Sequence, residues 1–288
     1  MDYLAIGEKI RELRKLLDLT QMDLANGICT QAQISKIENG DINPYSSTLY
    51  QISQRLGVDV NYFFDIGSTP RLDYVNEVSR QLMIARRNVN YEEMKQLVEN
   101  EEQNPLFTQN RKNLQLLLWH KGIYEYKLFR RIERSIELLD EAITLTHTKH
   151  WTEREIEIYI SKGVILFEEN QLEEALSIYN PAKEHLRLLP HLQDKTIISR
   201  LYYNIARTLT RLQDYEQSIT ICKEAINWCI EKDNLYLLGE LHYHIGYNYE
   251  LLNNLKQAKA YMEKSLIIFE LQADQKYIAF IRTKMKDW

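Results

Sequence analysis

Residues 201–226, LYYNIARTLTRLQDYEQSITICKEAI, and residues 241–266, LHYHIGYNYELLNNLKQAKAYMEKSL, carry one pattern written twice. Each has an apolar and aromatic run, a short polar turn, an anchor (Tyr215, Leu255) and a small residue three positions later (Ser218, Ala258). Nine residues before each anchor stands another small residue, Ala206 or Gly246. Working outward, the same frame recurs around Tyr91, Ile132 and Leu172. Met94, Ser135 and Ala175 follow at three residues, and Leu82, Ile123 and Gly163 precede at nine. Successive anchors are 41, 40, 43 and 40 residues apart. A period of this size marks a supersecondary unit that buries its apolar face only by stacking on copies of itself. The closing stretch DQKYIAFIRTKMKDW (274–288) reads as a helix that caps the stack.

The frame resembles the tetratricopeptide repeat, a pair of helices that cross where the small residues lie; its unit of about 34 residues is lengthened here. Composition agrees with an all-α chain. Only 9 Gly and 5 Pro in 288 residues leave too few turn formers for a strand-rich sandwich or barrel. Pro181 falls inside the second helix of the third repeat and is expected to kink it. No run of about 18 apolar residues occurs, so no membrane span is expected, and the amphipathic start MDYLAIGEKI is not a signal peptide. Three Cys is an odd number, and Cys222 and Cys229 lie about 10 Å apart along one helix, too far to bridge. A reduced, cytoplasmic protein is expected.

Residues 1–66 are built differently. Ile6, Ile10, Leu13 and Leu17 keep helical spacing, and four shorter segments follow, the last over Val60 to Phe64. Helices this short are stable only when packed together. GSTP (67–70) is the strongest breaker cluster, so the expected organisation is a reader domain at 1–66, a linker at 67–75 and a repeat domain at 76–288. Within the first domain, LTQMDLANGICTQAQISKIENG (19–40) has the helix-turn-helix layout: Ala25 at the crossing, Ile28 in the turn, Ile34 and Ile37 toward the core. Thr30 with Gln33 three residues later spells a capping box. The segment resembles the Xre/lambda-repressor class, and the third helix of such a domain presents its first turns to base edges in the major groove. Gln31, Ala32, Gln33 and Lys36 are then the candidate readers, since Gln can pair bidentately with adenine and Ala can meet a thymine methyl. Gln33 could instead serve only the cap. Gln21 and Ser35 are placed on phosphates, with Arg14 and Lys15 as sequence-independent phosphate contacts.

Charge limits this reader. The chain carries −5, and residues 1–66 hold six basic against nine acidic side chains. Affinity rests largely on phosphate neutralisation, so one copy should bind weakly and two copies on a two-part site should recover the loss. A homodimer on an inverted repeat of double-stranded DNA is expected.

A Xre-type reader followed by five such repeats resembles the RNPP family of quorum-sensing transcription regulators, over essentially the whole chain; the short NGIC-TQ turn adds to the likeness. The resemblance implies a cytosolic dimeric regulator that holds a short signalling peptide in the groove of its repeats. It also implies ligand positions: Asn204 gripping the peptide backbone, Arg87 meeting an acidic end, and Tyr277 giving an aromatic contact. Tyr203 and Arg207 flank Asn204 and can add stacking and charge. The chain departs from the family pattern at Ile160, where a second groove asparagine is expected, at Glu240, where a glutamine is expected, and at Val89, where a lysine is expected. A related but different peptide follows.

Enzyme chemistry finds no support. His147 and His150 fit no zinc spacing, and His242 and His244 point to opposite sides of a helix. No phosphate loop, CxxC pair or GxSxG elbow occurs, so no cofactor or metal is expected. Cys29 lies in the reading turn without a resolving partner, which favours packing. Two other readings stay open: a protein-interaction scaffold of the Rap type whose first domain only dimerises, and a constitutive repressor whose repeats only dimerise.

Overall fold

The computed structural model describes residues 1–69, 71–148 and 151–287; Pro70 of the expected linker and His150 lie outside them. The described residues form an all-α structure with no strand. Compactness divides the chain into Met1–His120 and Lys121–Trp288.

The first unit opens with five helices, α1 (Tyr3–Leu16), α2 (Gln21–Ala25), α3 (Gln31–Glu38), α4 (Ser46–Leu56) and α5 (Val60–Ser68). Their apolar stripes meet in one core of Ile6, Ile10, Leu24, Ile34, Ile37, Leu49, Ile52 and Phe63. Capping boxes start α2 and α3. Thr30 and Gln33 form the one that their spacing predicts, and Thr20 and Asp23 form another. The fifth helix runs four residues beyond Phe64, to Ser68. Gly67 is buried because the Ile6 and Met1 side chains close over the space a Cβ would fill. Its carbonyl also accepts the Asp2 N–H at 2.5 Å. After these come α6 (Leu72–Arg87), α7 (Tyr91–Glu101), the single turn α8 (Pro105–Thr108) and α9 (Arg111–Phe129), inside which the two units divide.

The second unit continues with α10 (Ile132–Thr146), α11 (Glu153–Glu168), α12 (Leu172–Leu188), α13 (Ile197–Arg211), α14 (Tyr215–Glu231), α15 (Leu238–Leu251), α16 (Leu255–Leu271) and α17 (Gln275–Lys284). Each anchor of the repeat frame is the first residue of a helix: Tyr91, Ile132, Leu172, Tyr215 and Leu255 open α7, α10, α12, α14 and α16. Two residues earlier the chain turns through the left-handed region, at Val89, Arg130, Asn170, Gln213 and Asn253. In the last three of these turns the next N–H reaches back five residues, from Gln171 to Leu166 O, Asp214 to Leu209 O and Asn254 to Tyr249 O, at 2.8–2.9 Å. That bond satisfies a carbonyl the ending helix would leave orphaned.

The small residues do what their spacing requires. A Cβ on Gly163 would run into the Tyr179 ring, and one on Gly246 would stand 3.1 Å from the Ala258 carbonyl. Ser218 is fully buried and donates from Oγ to the Ala206 carbonyl at 2.8 Å, bolting α14 to α13. In the second repeat the close approach falls to Gly122, one residue before Ile123. Pro181 sits inside α12, which runs unbroken across it. Between the fourth and fifth repeats lies a buried polar knot. Thr210 Oγ1 is 2.9 Å from His244 Nε2 and 2.8 Å from Asn248 Oδ1, and Asn248 Nδ2 donates to Ser218 Oγ at 3.1 Å. Such a knot is satisfied in one register of the two repeats. Burial pushes His244 down to about 4, so it is neutral here.

Candidate functional site

The reading helix α3 is held by a chain of polar contacts that begins in the core. Glu38 is fully buried and accepts from Arg14 twice, Nε to Oε1 at 2.6 Å and Nη2 to Oε2 at 2.9 Å. Arg14 spends its remaining nitrogen on the Leu19 carbonyl at 2.8 Å. Burial works against ionisation of Glu38 more than any other single influence. Hydrogen bonds from Arg14 and Gln21 and the charges of Arg14 and Arg11 together outweigh it and hold the carboxyl below its ordinary value. An ionised carboxylate only accepts, so Gln21 must offer it an amide N–H, and Nε2 does so at 2.9 Å. That leaves Gln21 Oε1 to accept from Gln31 Nε2 at 2.6 Å. Gln31 is thereby oriented, with Oε1 and a second N–H available.

Ala32, Gln33 and Lys36 are exposed on the same helix and Ser35 is half-buried. Gln33 Oε1 accepts the Thr30 N–H at 3.0 Å, so its oxygen is engaged in the cap. Arg14 is a correction. Only 9 % exposed and bound on every nitrogen face, it is an internal strut and cannot reach a phosphate. Arg55 is likewise spent on the carbonyls of Asp23 and Leu24, at 3.1 and 3.2 Å, and on that of Asn26. Lys9 pairs with Glu12, and Arg11 with Glu38 and Asn39. Lys15 and Lys36 are exposed and make no ion pair among the described residues.

In the second unit the residues expected around a peptide converge in part. On α13, the Arg207 guanidinium lies over the rings of Phe167 (4.6 Å) and Tyr203 (5.7 Å) and has no carboxylate partner among the described residues. Burial pushes the Tyr203 hydroxyl up, and the charges of Arg207, Tyr277 and Glu240 all act on it, which places the four side chains in one neighbourhood. Tyr277 stacks flat on Phe269 at 4.5 Å. Asn204 is half-buried; its Nδ2 donates to its own helix, at the Arg200 carbonyl, 2.9 Å away. Ile160 is a correction: it is 5 % exposed and belongs to the apolar core. Arg87 ends α6 in the first unit. The sequence reading missed Tyr243 and Tyr247, whose rings stack in parallel at 6.3 Å with Phe280 at 5.8 Å from Tyr243. Their signal was available, since Glu240, Tyr243 and Tyr247 follow helical spacing on one face of α15. Arg211 also lies over Phe167 at 4.7 Å, but its guanidinium is spent on the Phe167 carbonyl at 3.0 Å and on Asn170 Oδ1 at 2.6 Å.

The family model of the RNPP C-terminal domain matches residues 79–288, and a helix-turn-helix domain model matches residues 7–65. The chain belongs to the RNPP family. No curated protein sequence matches this RNPP chain. Among solved structures it is similar to Bacillus thuringiensis PlcR in complex with the peptide PapR7 and DNA, with TM-score 0.86, 21% identity, and 96% of this chain and 99% of that chain covered. ComR from S. thermophilus with DNA and its signalling peptide ComS gives a TM-score of 0.61 at 16% identity, covering 97% of this chain and 98% of that one. The Streptococcus dysgalactiae SHP pheromone receptor Rgg2 gives 0.64 at 16% identity with the same coverage. These likenesses establish the fold of this RNPP member: a helix-turn-helix unit followed by stacked helical repeats.

Proposed function

We propose that the protein is a peptide-controlled transcription regulator. It binds an inverted repeat of double-stranded DNA as a cytoplasmic homodimer, reads bases from α3, and holds a short signalling peptide among the repeats of its second unit. In this reading residues 1–66 form the reader, 67–75 the junction, and 76–288 the peptide-binding and dimerising part. Gln31, Ala32, Gln33 and Lys36 face bases; Gln21, Ser35 and Lys15 face the backbone or position those that do. Asn204, Tyr203, Arg207, Glu240 and Tyr277 meet the peptide.

One observation carries the peptide reading. Arg207 is a half-buried guanidinium set against two rings, with no carboxylate partner among the described residues. A guanidinium held on two rings without a carboxylate partner can offer a planar fork to a carboxylate that a ligand brings. The PlcR and ComR structures, which contain both DNA and peptide, support the pairing of functions. Calorimetric titration of short acidic synthetic peptides is the test. Asn204→Ala removes a backbone-directed amide, and losing one partner of a buried hydrogen bond costs about 1–3 kcal/mol, or about five- to 150-fold in affinity. Absence of binding by every peptide tried would favour a constitutive regulator.

A further inference from the structure

Arg207 accounts for one end of the ligand. Glu240, whose charge acts on the same Tyr203 and Tyr277 as Arg207 does, accounts for another. It stands in the first turn of α15, its carboxylate turned back toward its own backbone N–H. Its Oε2 is closed off from solvent and receives no hydrogen bond. Among the described residues no cation pairs with it; burial pushes its carboxyl above the ordinary value, and the neighbouring charge of Asp274 acts in the same direction, so a cation is what would hold it ionised. The Tyr203 and Tyr277 hydroxyls both feel its charge, and neither donates to it.

We propose that Glu240 sets the charge pattern of the peptide: the ligand carries an ammonium or guanidinium group that pairs with this carboxylate beside the rings of Tyr203 and Tyr277. The inference rests on the peptide-binding reading above and adds the ligand's chemistry. A carboxylate oxygen shut from water without a donor is costly, and a donor brought by the ligand to Oε2 removes that cost. A neutral amide would fill a lone pair but leave the negative field of Glu240 and Asp274 unbalanced. A cation answers both, and aromatic faces attract cations further. With Arg207 acting on the same two tyrosines, the site carries both signs of charge, and it selects a peptide with an acidic group and a basic group.

The basic group can be a Lys or Arg side chain or the free N-terminus, and the test separates them. Two randomised synthetic heptapeptide pools, one with free and one with acetylated N-termini, are passed over the full-length protein and over its Glu240→Gln variant, and retained peptides are sequenced by mass spectrometry. Gln preserves shape, and a thermal melt verifies that the variant is folded. The wild type should enrich Lys or Arg at one position by at least about tenfold over the variant in the acetylated pool. If the N-terminus is the cation, acetylation should instead lower retention by a similar factor for the wild type only. Equal retention and composition for both proteins in both pools overturns the assignment while leaving peptide binding intact. No retained peptide in any arm overturns both readings.

Discussion

Arg14 and Glu38, 24 residues apart, form a two-pronged ion pair shut inside the reader domain, with Nε to Oε1 at 2.6 Å and Nη2 to Oε2 at 2.9 Å. The pair joins α1 to the end of α3, so the reading helix is fixed to the first helix by charge as well as by the Ile6–Ile34 core. Removing one partner strands the other. Arg14→Ala should destabilise the domain by about 3–5 kcal/mol, whereas an apolar replacement of both partners should cost far less. Chemical denaturation of the single and double variants measures the difference. Because Glu38 binds its proton more weakly when folded, its contribution is present above its unfolded value of 4.5 and is lost as pH falls through the lower folded value. Acid unfolding of the reader should therefore shift to higher pH in Arg14→Ala, since the carboxylate loses the partner that lowers its pKa.

The Glu38–Gln21–Gln31 chain makes Gln21 a positioning residue for base reading. Gln31→Ala should lose about 1–3 kcal/mol of discrimination at one position of each half-site. Gln21→Ala should relax the same position while leaving the Gln31 side chain in place. Gln33→Glu tests the remaining ambiguity on α3: glutamate keeps the capping oxygen and removes the N–H donor. If base preference survives Gln33→Glu unchanged, Gln33 serves the cap alone. Binding to a randomised operator library, read by sequencing, resolves all three.

Salt dependence should be shallow. Of the six basic residues in 1–66, the structure spends Lys9, Arg11, Arg14 and Arg55 on partners within the domain, leaving Lys15 and Lys36. With Lys36 facing bases, the Lys15 residues of two readers neutralise about two phosphates, a slope of about −1.8 in log K against log salt. Lys15→Ala should flatten it by about 1.8 for the dimer. Any folded variant at Arg14 should leave it unchanged, which fluorescence anisotropy across a salt series will measure.

The repeat frame was legible because an anchor and two small residues are local facts of a helix pair. The anchors fall on helix starts, and Ala175, Ala206, Ser218 and Ala258 are fully buried. The turns were less legible. Among the left-handed positions are Val89, Arg130 and Gln213, types that rarely adopt positive φ, so no glycine advertised them. At the sites, the errors share a cause. Arg14 looks like a surface base in its own helix, and only Glu38, brought in from α3, explains its burial. Ile160 looked like a substituted groove position until the packing of α11 placed it in the core. Long-range partners decide such residues, and local spacing cannot name them.

Arg207 offers the sharpest separation of charge from shape in the second unit. Its guanidinium lies over Phe167 and Tyr203, so part of its value is stacking and part is the charge it offers a ligand carboxylate. Arg207→Ala removes both and should weaken an acidic peptide by about ten- to 150-fold, the range of a hydrogen bond to a charged group. Arg207→Lys keeps the charge and loses the planar fork and the flat contact with the rings, so it should recover only part of the loss. The double cycle with a peptide whose acidic residue is changed to its amide isolates the pair: if Arg207 meets that carboxylate, the amide peptide should bind wild type and Arg207→Ala with nearly equal affinity. A loss of equal size for both peptides would show that Arg207 only braces Phe167 and Tyr203, and that the carboxylate is met elsewhere.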